Sequence, residues 1–91
     1  MIMYISIGQI VFSKAGRDKG RPLIVLNTEG EYLFLADGKN RLINNPKKKK
    51  KMHVQHTNII VSEIADKQNS KIGLLDADVR KALKELSGES V

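Results

Sequence analysis

Three consecutive runs decide the fold of this 91-residue chain: IGQIVF (7–12), SKAGRDKGR (13–21) and PLIVL (22–26). The first and third runs are apolar and of strand length. The third, PLIVL, is apolar at every position, which indicates a strand buried on both faces. Gly16 and Gly20 bracket the basic loop between them, and glycine lets a backbone adopt positive φ and approach a partner closely. The sequence therefore predicts a strand–loop–strand unit that presents cations where another molecule can come near.

The next residues predict more strands. Residues 32–36 are aromatic and aliphatic, and Tyr32 and Phe34 are expected in the core. The Asp37-Gly38 pair that follows is typical of a tight hairpin, which would return along residues 39–43. Residues 59–61 form the last apolar run of strand type. With strands at 7–13 and 22–28, this gives five short strands, the pattern of a small barrel or sandwich.

A helix is predicted at the C-terminal end. Residues 66–70 are polar and are predicted to be a linker. Apolar residues then recur at helical spacing, which predicts a helix over residues 77–87 with Asp76 as its N-cap and Gly88 as its stop. A helix this short is marginal alone in water, so its apolar stripe should pack on the strands or on a partner. The expected fold class is all-β with a C-terminal helix.

Composition narrows the possible functions. The formal net charge is +6, and residues 14–51 hold eleven Lys or Arg against four Asp or Glu, whereas residues 52–91 are nearly balanced. The absence of cysteine excludes disulfides, thiolate metal sites and cysteine nucleophiles, and is typical of a cytoplasmic protein. Residues 1–7 lack a positive leading segment, so we expect the lead-in to a strand rather than a signal peptide. No apolar run has the length of a bilayer span.

Five successive lysines at 47–51 are the second basic feature, and they are predicted to form a lysine-rich loop. Together with the loop 14–21 they point to phosphate, and therefore to nucleic acid. The alternative is a solvated loop that repels itself. If five to eight cations neutralise phosphates, the logarithm of the affinity should fall with the logarithm of salt by about 0.7 to 0.9 per contact. Since stacking platforms need exposed aromatic rings, which are few here, structured RNA is favoured over single strands.

The order of these features resembles that of KOW-motif proteins, namely the small bacterial KOW RNA-binding proteins and the KOW-bearing ribosomal proteins. The resemblance covers about residues 5–62. One departure is Leu23, where KOW motifs commonly have a further glycine, which is closer to the ribosomal branch than to the transcription-elongation branch. The resemblance implies a small SH3-like β-barrel that binds RNA or the ribosome. The residues that carry it are Gly8, Ile10, the loop 14–21, Val25, residues 36–38, Arg41, residues 45–49 and residues 53–55.

The sequence thus predicts a barrel at residues 1–65, followed by a linker and helix at 66–91. Its function would be binding of structured RNA, with ribosomal RNA or a ribosomal particle as partner, in translation or ribosome biogenesis. The residues expected at the RNA are Lys14, Gly16, Arg17, Lys19, Gly20, Arg21, Arg41, Lys47, Lys48, Lys49, Lys50, Lys51 and His53.

Other classes of function receive less support. Since His53 and His56 lack a third ligand nearby, we expect no metal site. No nucleophile lies in a recognisable catalytic setting, so we expect neither an enzyme nor a cofactor or small-molecule substrate. We expect a monomer without a membrane partner. Two alternatives stay open: a transcription or elongation accessory protein that binds DNA or polymerase, and an SH3-like module that binds peptides.

Overall fold

The computed structural model describes residues 4–71 and 73–86. In that part of the chain, five strands form one antiparallel sheet in the order β4-β3-β2-β1-β5, and two helices follow. The number of strands and the C-terminal helix agree with the prediction, whereas one predicted strand and the predicted linker differ, as described below. The elements are β1 (Gln9–Ser13), β2 (Pro22–Glu29), β3 (Tyr32–Ala36), β4 (Lys47–Lys50), a 3₁₀ turn (Lys51–His53), β5 (Val54–Ile60), α1 (Ser62–Ser70) and α2 (Asp76–Leu86).

The sheet is curled but not closed. Its two edge strands, β4 and β5, are joined only by the 3₁₀ turn. A flat sheet of five strands would separate its edges by about 19 Å, or four strand spacings. Three residues of 3₁₀ turn advance only about 6 Å, so the sheet must bend until its edges approach. The turn is held on both sides, because the Lys51 N–H donates to the Glu31 oxygen at 2.8 Å and the His53 oxygen accepts from the Lys14 N–H at 2.9 Å.

Both faces of the sheet are apolar at its centre, which explains the continuous apolar run in β2. Leu23 and Val25 point to the concave face, and Ile24 and Leu26 point to the face covered by the helices. The concave cluster contains no helix residue, and the curled sheet encloses it together with Ile5 from the segment before β1. Its members are Ile5, Val11, Leu23, Val25, Leu33, Leu35 and Val54.

The returning strand predicted at residues 39–43 is wrong. The Asp37 carboxylate accepts hydrogen bonds of 2.7 to 2.8 Å from three nearby backbone N–H groups, those of Lys39, Asn40 and Arg41. This local turn uses the donors that a strand ladder would need. The edge of β3 pairs instead with the lysine run, so Lys47–Lys50 is strand β4 and not a loop.

The linker predicted at residues 66–70 is also wrong, because those residues are the second half of helix α1. Ile64 is the only buried residue of α1, so its sequence shows little apolar periodicity. The helix lies directly against Gly8, where an added Cβ would stand 3.0 Å from the Ala65 Cβ. The sequence of this helix is polar because the helix buries only Ile64, and this polarity is why a linker was predicted.

Helix α2 is confirmed: it begins at Asp76, one residue before the predicted start, and continues to Leu86, the last described residue. Val79 and Ala82 of this helix are buried against the sheet, which confirms the apolar stripe. Asp76 begins the helix, and its carboxylate accepts the Ile43 N–H at 2.8 Å. The predicted final residue, 87, and the predicted stop, Gly88, lie outside the described residues. Neither described helix is long and apolar enough to span a bilayer.

Candidate nucleic-acid interface

The loop 14–21 is a closed and well-defined structure. At its base, the Gly20 N–H donates to the Ser13 oxygen at 2.8 Å, and the Ser13 N–H donates to the Arg21 oxygen at 3.2 Å. Gly16 and Gly20 have φ of 79° and 81°, the positive values predicted for them. Two glycines therefore make the tight reversals, and the basic side chains between them extend to solvent.

Two cations from outside the loop hold it in place. The Lys49 Nζ donates to the Ser13 Oγ at 2.7 Å and to the Ala15 oxygen at 2.8 Å. The Asp18 carboxylate, only 4% exposed, accepts from the Arg41 Nε at 3.2 Å and Nη2 at 3.1 Å. Because Lys49 belongs to β4, its two hydrogen bonds place the loop and β4 on the same side of the molecule.

The four lysines of β4 alternate between the faces of the sheet. Lys47 and Lys49 lie opposite residues 35 and 33 of the concave core, and they point toward the loop. Lys48 and Lys50 point to the other face, as the twofold periodicity of a strand requires. Only half of the lysine run therefore faces the loop.

Where the loop and β4 meet, they form an open cleft of about 530 Å³. Two of its cations, Arg41 and Lys49, are committed to the anchors described above. Two others, Arg17 and Lys47, make no side-chain hydrogen bond or ion pair with any residue in 4–71 or 73–86. The cleft thus combines fixed and available positive charge. Its lining residues are Ala15, Gly16, Arg17, Asp18, Arg41, Lys47, Lys49 and His53.

Six of the thirteen predicted residues line this cleft: Gly16, Arg17, Arg41, Lys47, Lys49 and His53. Arg21 lies in an adjoining shallow cleft with Arg17, Asn40 and Arg41. The remaining loop members, Lys14, Lys19 and Gly20, are exposed beside the cleft. The structure does not bring the other three to it, because Lys48 and Lys50 lie on the opposite face of β4 and Lys51 lines a separate cleft with Glu31, Lys50 and Met52.

The prediction that Tyr32 and Phe34 lie in the core is wrong. Leu33 and Leu35 take the buried positions of β3, so both rings point to the opposite face and are half-buried there. The Lys48 Nζ lies 4.5 Å from the centroid of the Tyr32 ring and 5.9 Å from that of Phe34. The prediction placed Tyr32 and Phe34 in the core because they are aromatic. The alternation of side chains along β3 instead decides which residues are buried.

Asp18 is the site residue that sequence reasoning missed. From sequence alone, an acid inside a basic loop would be assigned to its neighbours Arg17 or Lys19, but the Asp18 carboxylate binds Arg41, which is 23 residues away. The burial of Asp18 could not be predicted without the fold. Among the described residues, no group of three His, Cys, Asp or Glu side chains is arranged to hold a metal ion.

No protein-family model matches the chain, and no curated protein matches it either.

Proposed function

We propose that this protein binds structured RNA through the loop 14–21 and the loop-facing side of β4, a surface we call the basic cleft. The expected partner is ribosomal RNA or a ribosomal particle, in translation or ribosome biogenesis in the cytoplasm, and the protein acts by binding alone. One observation carries the proposal: cations from two distant parts of the sequence converge on one cleft, with Arg17 and Lys47 available there.

The arrangement suits a polymer of phosphates better than a single anion. The cleft is open, and the cations continue beyond it along the loop through Lys14, Lys19 and Arg21, all exposed. Contacts from such side chains and from backbone amides fix the position of a nucleic acid but read little sequence. We therefore expect selectivity to come from the shape of the RNA helix.

The fold supports the same proposal. We propose that the curled sheet is an SH3-like barrel of the KOW type, left open between β4 and β5. The basic loop lies between β1 and β2, as in the KOW resemblance, and its Lys14 N–H is bonded to the turn that joins the two edges. That bond places the loop beside the lysine strand, which is why the two basic features act as one surface.

Binding to a folded ribosomal RNA fragment and to duplex DNA, each over a salt series, tests this function. We expect a marked preference for RNA and a steep decline of affinity with salt. At 0.15 M salt each phosphate contact accounts for about a fivefold change in affinity. The double variant Arg17→Glu/Lys47→Glu should therefore lose at least about 20-fold in RNA affinity.

Lys71→Glu is the matched control, because Lys71 is exposed at the end of α1, away from the basic cleft. Per reversed charge, Lys71→Glu should lower the RNA affinity far less than the double variant does. Equal affinity for DNA and RNA would favour a transcription accessory role. Absence of binding to both would favour a peptide-binding module, and an unchanged affinity of the double variant would contradict the assignment of the cleft.

A further inference from the structure

The second face of β4 carries a surface that the basic cleft does not use. We call it the aromatic face, and it consists of Tyr32, Phe34, Lys48 and Lys50. Both rings are half-buried, and neither belongs to the core cluster under the helices. The Lys48 Nζ stands over Tyr32 at 4.5 Å and over Phe34 at 5.9 Å, and the Lys50 Nζ lies 6.0 Å from the Tyr32 centroid. Two rings are thus presented at the surface with two ammonium groups beside them.

We propose that the aromatic face binds unpaired nucleotides that extend from the RNA helix held at the basic cleft. This inference rests on the proposed function and narrows its ligand to a duplex with an adjoining single-stranded segment. The two surfaces are continuous, because Lys47 and Lys49 on one and Lys48 and Lys50 on the other are successive residues of one strand. A strand that leaves the cleft therefore reaches the rings by passing over the edge of β4.

Charge identifies the occupant as a nucleotide. The Lys48 ammonium lies over both rings, so a ligand must draw that ammonium away before it can stack. A phosphate does so, and the base attached to it supplies the stacking surface. Neither Lys48 nor Lys50 has a salt bridge with any residue in 4–71 or 73–86 that would oppose this movement. An uncharged peptide offers nothing that would displace the lysines.

The exchange is favourable in magnitude. A cation over an exposed aromatic ring contributes about a two- to fivefold effect on an equilibrium. A nucleobase stacked on an aromatic side chain contributes about 5- to 150-fold. Because the freed lysine then meets a phosphate, the lost contact is replaced as well. Alternate side chains of a strand lie about 6.6 Å apart, so Tyr32 and Phe34 each take one base.

Two RNAs test the inference. The first is a blunt duplex of about 16 base pairs, which presents two successive minor grooves. The second is the same duplex with a 3′ tail of about six adenosines. The wild-type protein should bind the tailed RNA at least about tenfold more tightly. The double variant Tyr32→Val/Phe34→Val keeps β-forming residues on β3 and should lose this difference while it retains its affinity for the blunt duplex. Phe12→Val is the matched control, a half-buried aromatic residue paired with Pro22 and Gln55, and should leave the difference intact.

A second measurement needs no change to the aromatic face. The chain has two tyrosines and no tryptophan, and Tyr4 is 80% exposed. In a Tyr4→Phe variant the fluorescence reports Tyr32 alone, and it should be quenched by the tailed RNA but not by the blunt duplex. Equal affinity of the wild-type protein for the two RNAs, or quenching by a proline-rich peptide instead, would overturn the inference and leave the basic cleft standing. Failure to bind either RNA would overturn both proposals.

Discussion

Lys47 and Lys49 share one face of β4 but have different roles. Lys49 donates two hydrogen bonds that fix the loop, whereas the Lys47 ammonium has no partner among the described residues. Lys49→Met should therefore lower the free energy of unfolding by about 1 kcal/mol. Lys47→Met should leave stability unchanged but reduce the salt dependence of RNA affinity by about 0.7 to 0.9 in slope. Chemical denaturation and RNA titrations over a salt series measure these effects, and equal stabilities of the two variants would refute the assigned roles.

Asp18 and Arg41 form an ion pair whose acid is more buried than its base, with side-chain exposures of 6% and 30%. Asp18→Asn keeps the shape and an oxygen acceptor, so the free energy of unfolding should fall by about 1 to 2 kcal/mol. Arg41→Met leaves a carboxylate buried without its counter-charge, which should cost about 3 kcal/mol. Urea denaturation of the two variants tests this order. If Arg41→Met were the milder change, the pair would not anchor the loop.

At the level of elements, β4 shows how far composition misleads. Four lysines have low strand propensity, and the sequence predicted a loop there. The strand forms because β3 offers a free edge and apolar partners, Leu33 and Leu35 on one face and Tyr32 and Phe34 on the other, along which lysine stems can pack. The charges also protect the exposed edge against pairing with other chains. Tertiary context, absent from a local pattern, decides this element.

The contact between α2 and the turn after β3 depends on Gly38. Its φ is 78°, and an added Cβ would collide with the Asp76 oxygen and approach the Arg80 Cγ to 2.9 Å. Gly38→Ala should therefore lower the free energy of unfolding by about 3 kcal/mol, through backbone strain and overpacking together. Gly20→Ala is the control, since Gly20 has a φ of 81° but open space around it, and should cost about 1 kcal/mol. Thermal or urea unfolding separates the two, and equal losses would show that conformation alone requires Gly38.

Asp78 gives the two helices a dependence on pH. The hydrogen bond from the Leu75 N–H lowers the pKa of the Asp78 carboxyl below its ordinary value of 3.8, and the Lys67 ammonium of α1 lowers it further. A folded-state pKa below the unfolded one means that the stabilisation is complete above pH 3.8 and is lost as the pH falls through the folded value. The wild-type protein should therefore melt higher than Asp78→Asn at pH 7, and the difference should disappear in acid.

Asp66→Asn is the control for this measurement, because Asp66 is an exposed acid of α1 without a side-chain hydrogen bond or ion pair among the described residues. Its melting temperature should follow that of the wild-type protein from pH 7 into acid. A difference between the wild-type protein and Asp78→Asn that persisted in strong acid would contradict the role given to the Asp78 charge.

For the molecule as a whole, the sequence predicted the features that are set by interactions between neighbouring residues. The apolar run of β2, the two loop glycines and the stripe of α2 each had a periodicity or a conformation that their residues require, and the structure has them there. The identity of the fourth strand, helix α1 and the Asp18–Arg41 pair all depend on contacts between distant residues. The curl of the sheet also depends on the strand order. The three-residue connection between β4 and β5 requires a curl only because these two strands are the edges of the sheet.

RNA binding at the basic cleft requires that the loop 14–21 and the lysine strand act as one surface. The most direct test is a titration of ¹⁵N-labelled protein with duplex RNA, followed by amide chemical shifts. The amides of residues 14–21 and 47–53 should shift together along one binding curve, while those of α2 stay near their original positions. Shifts that occur in only one of the two segments, or that centre on the helices, would contradict the account.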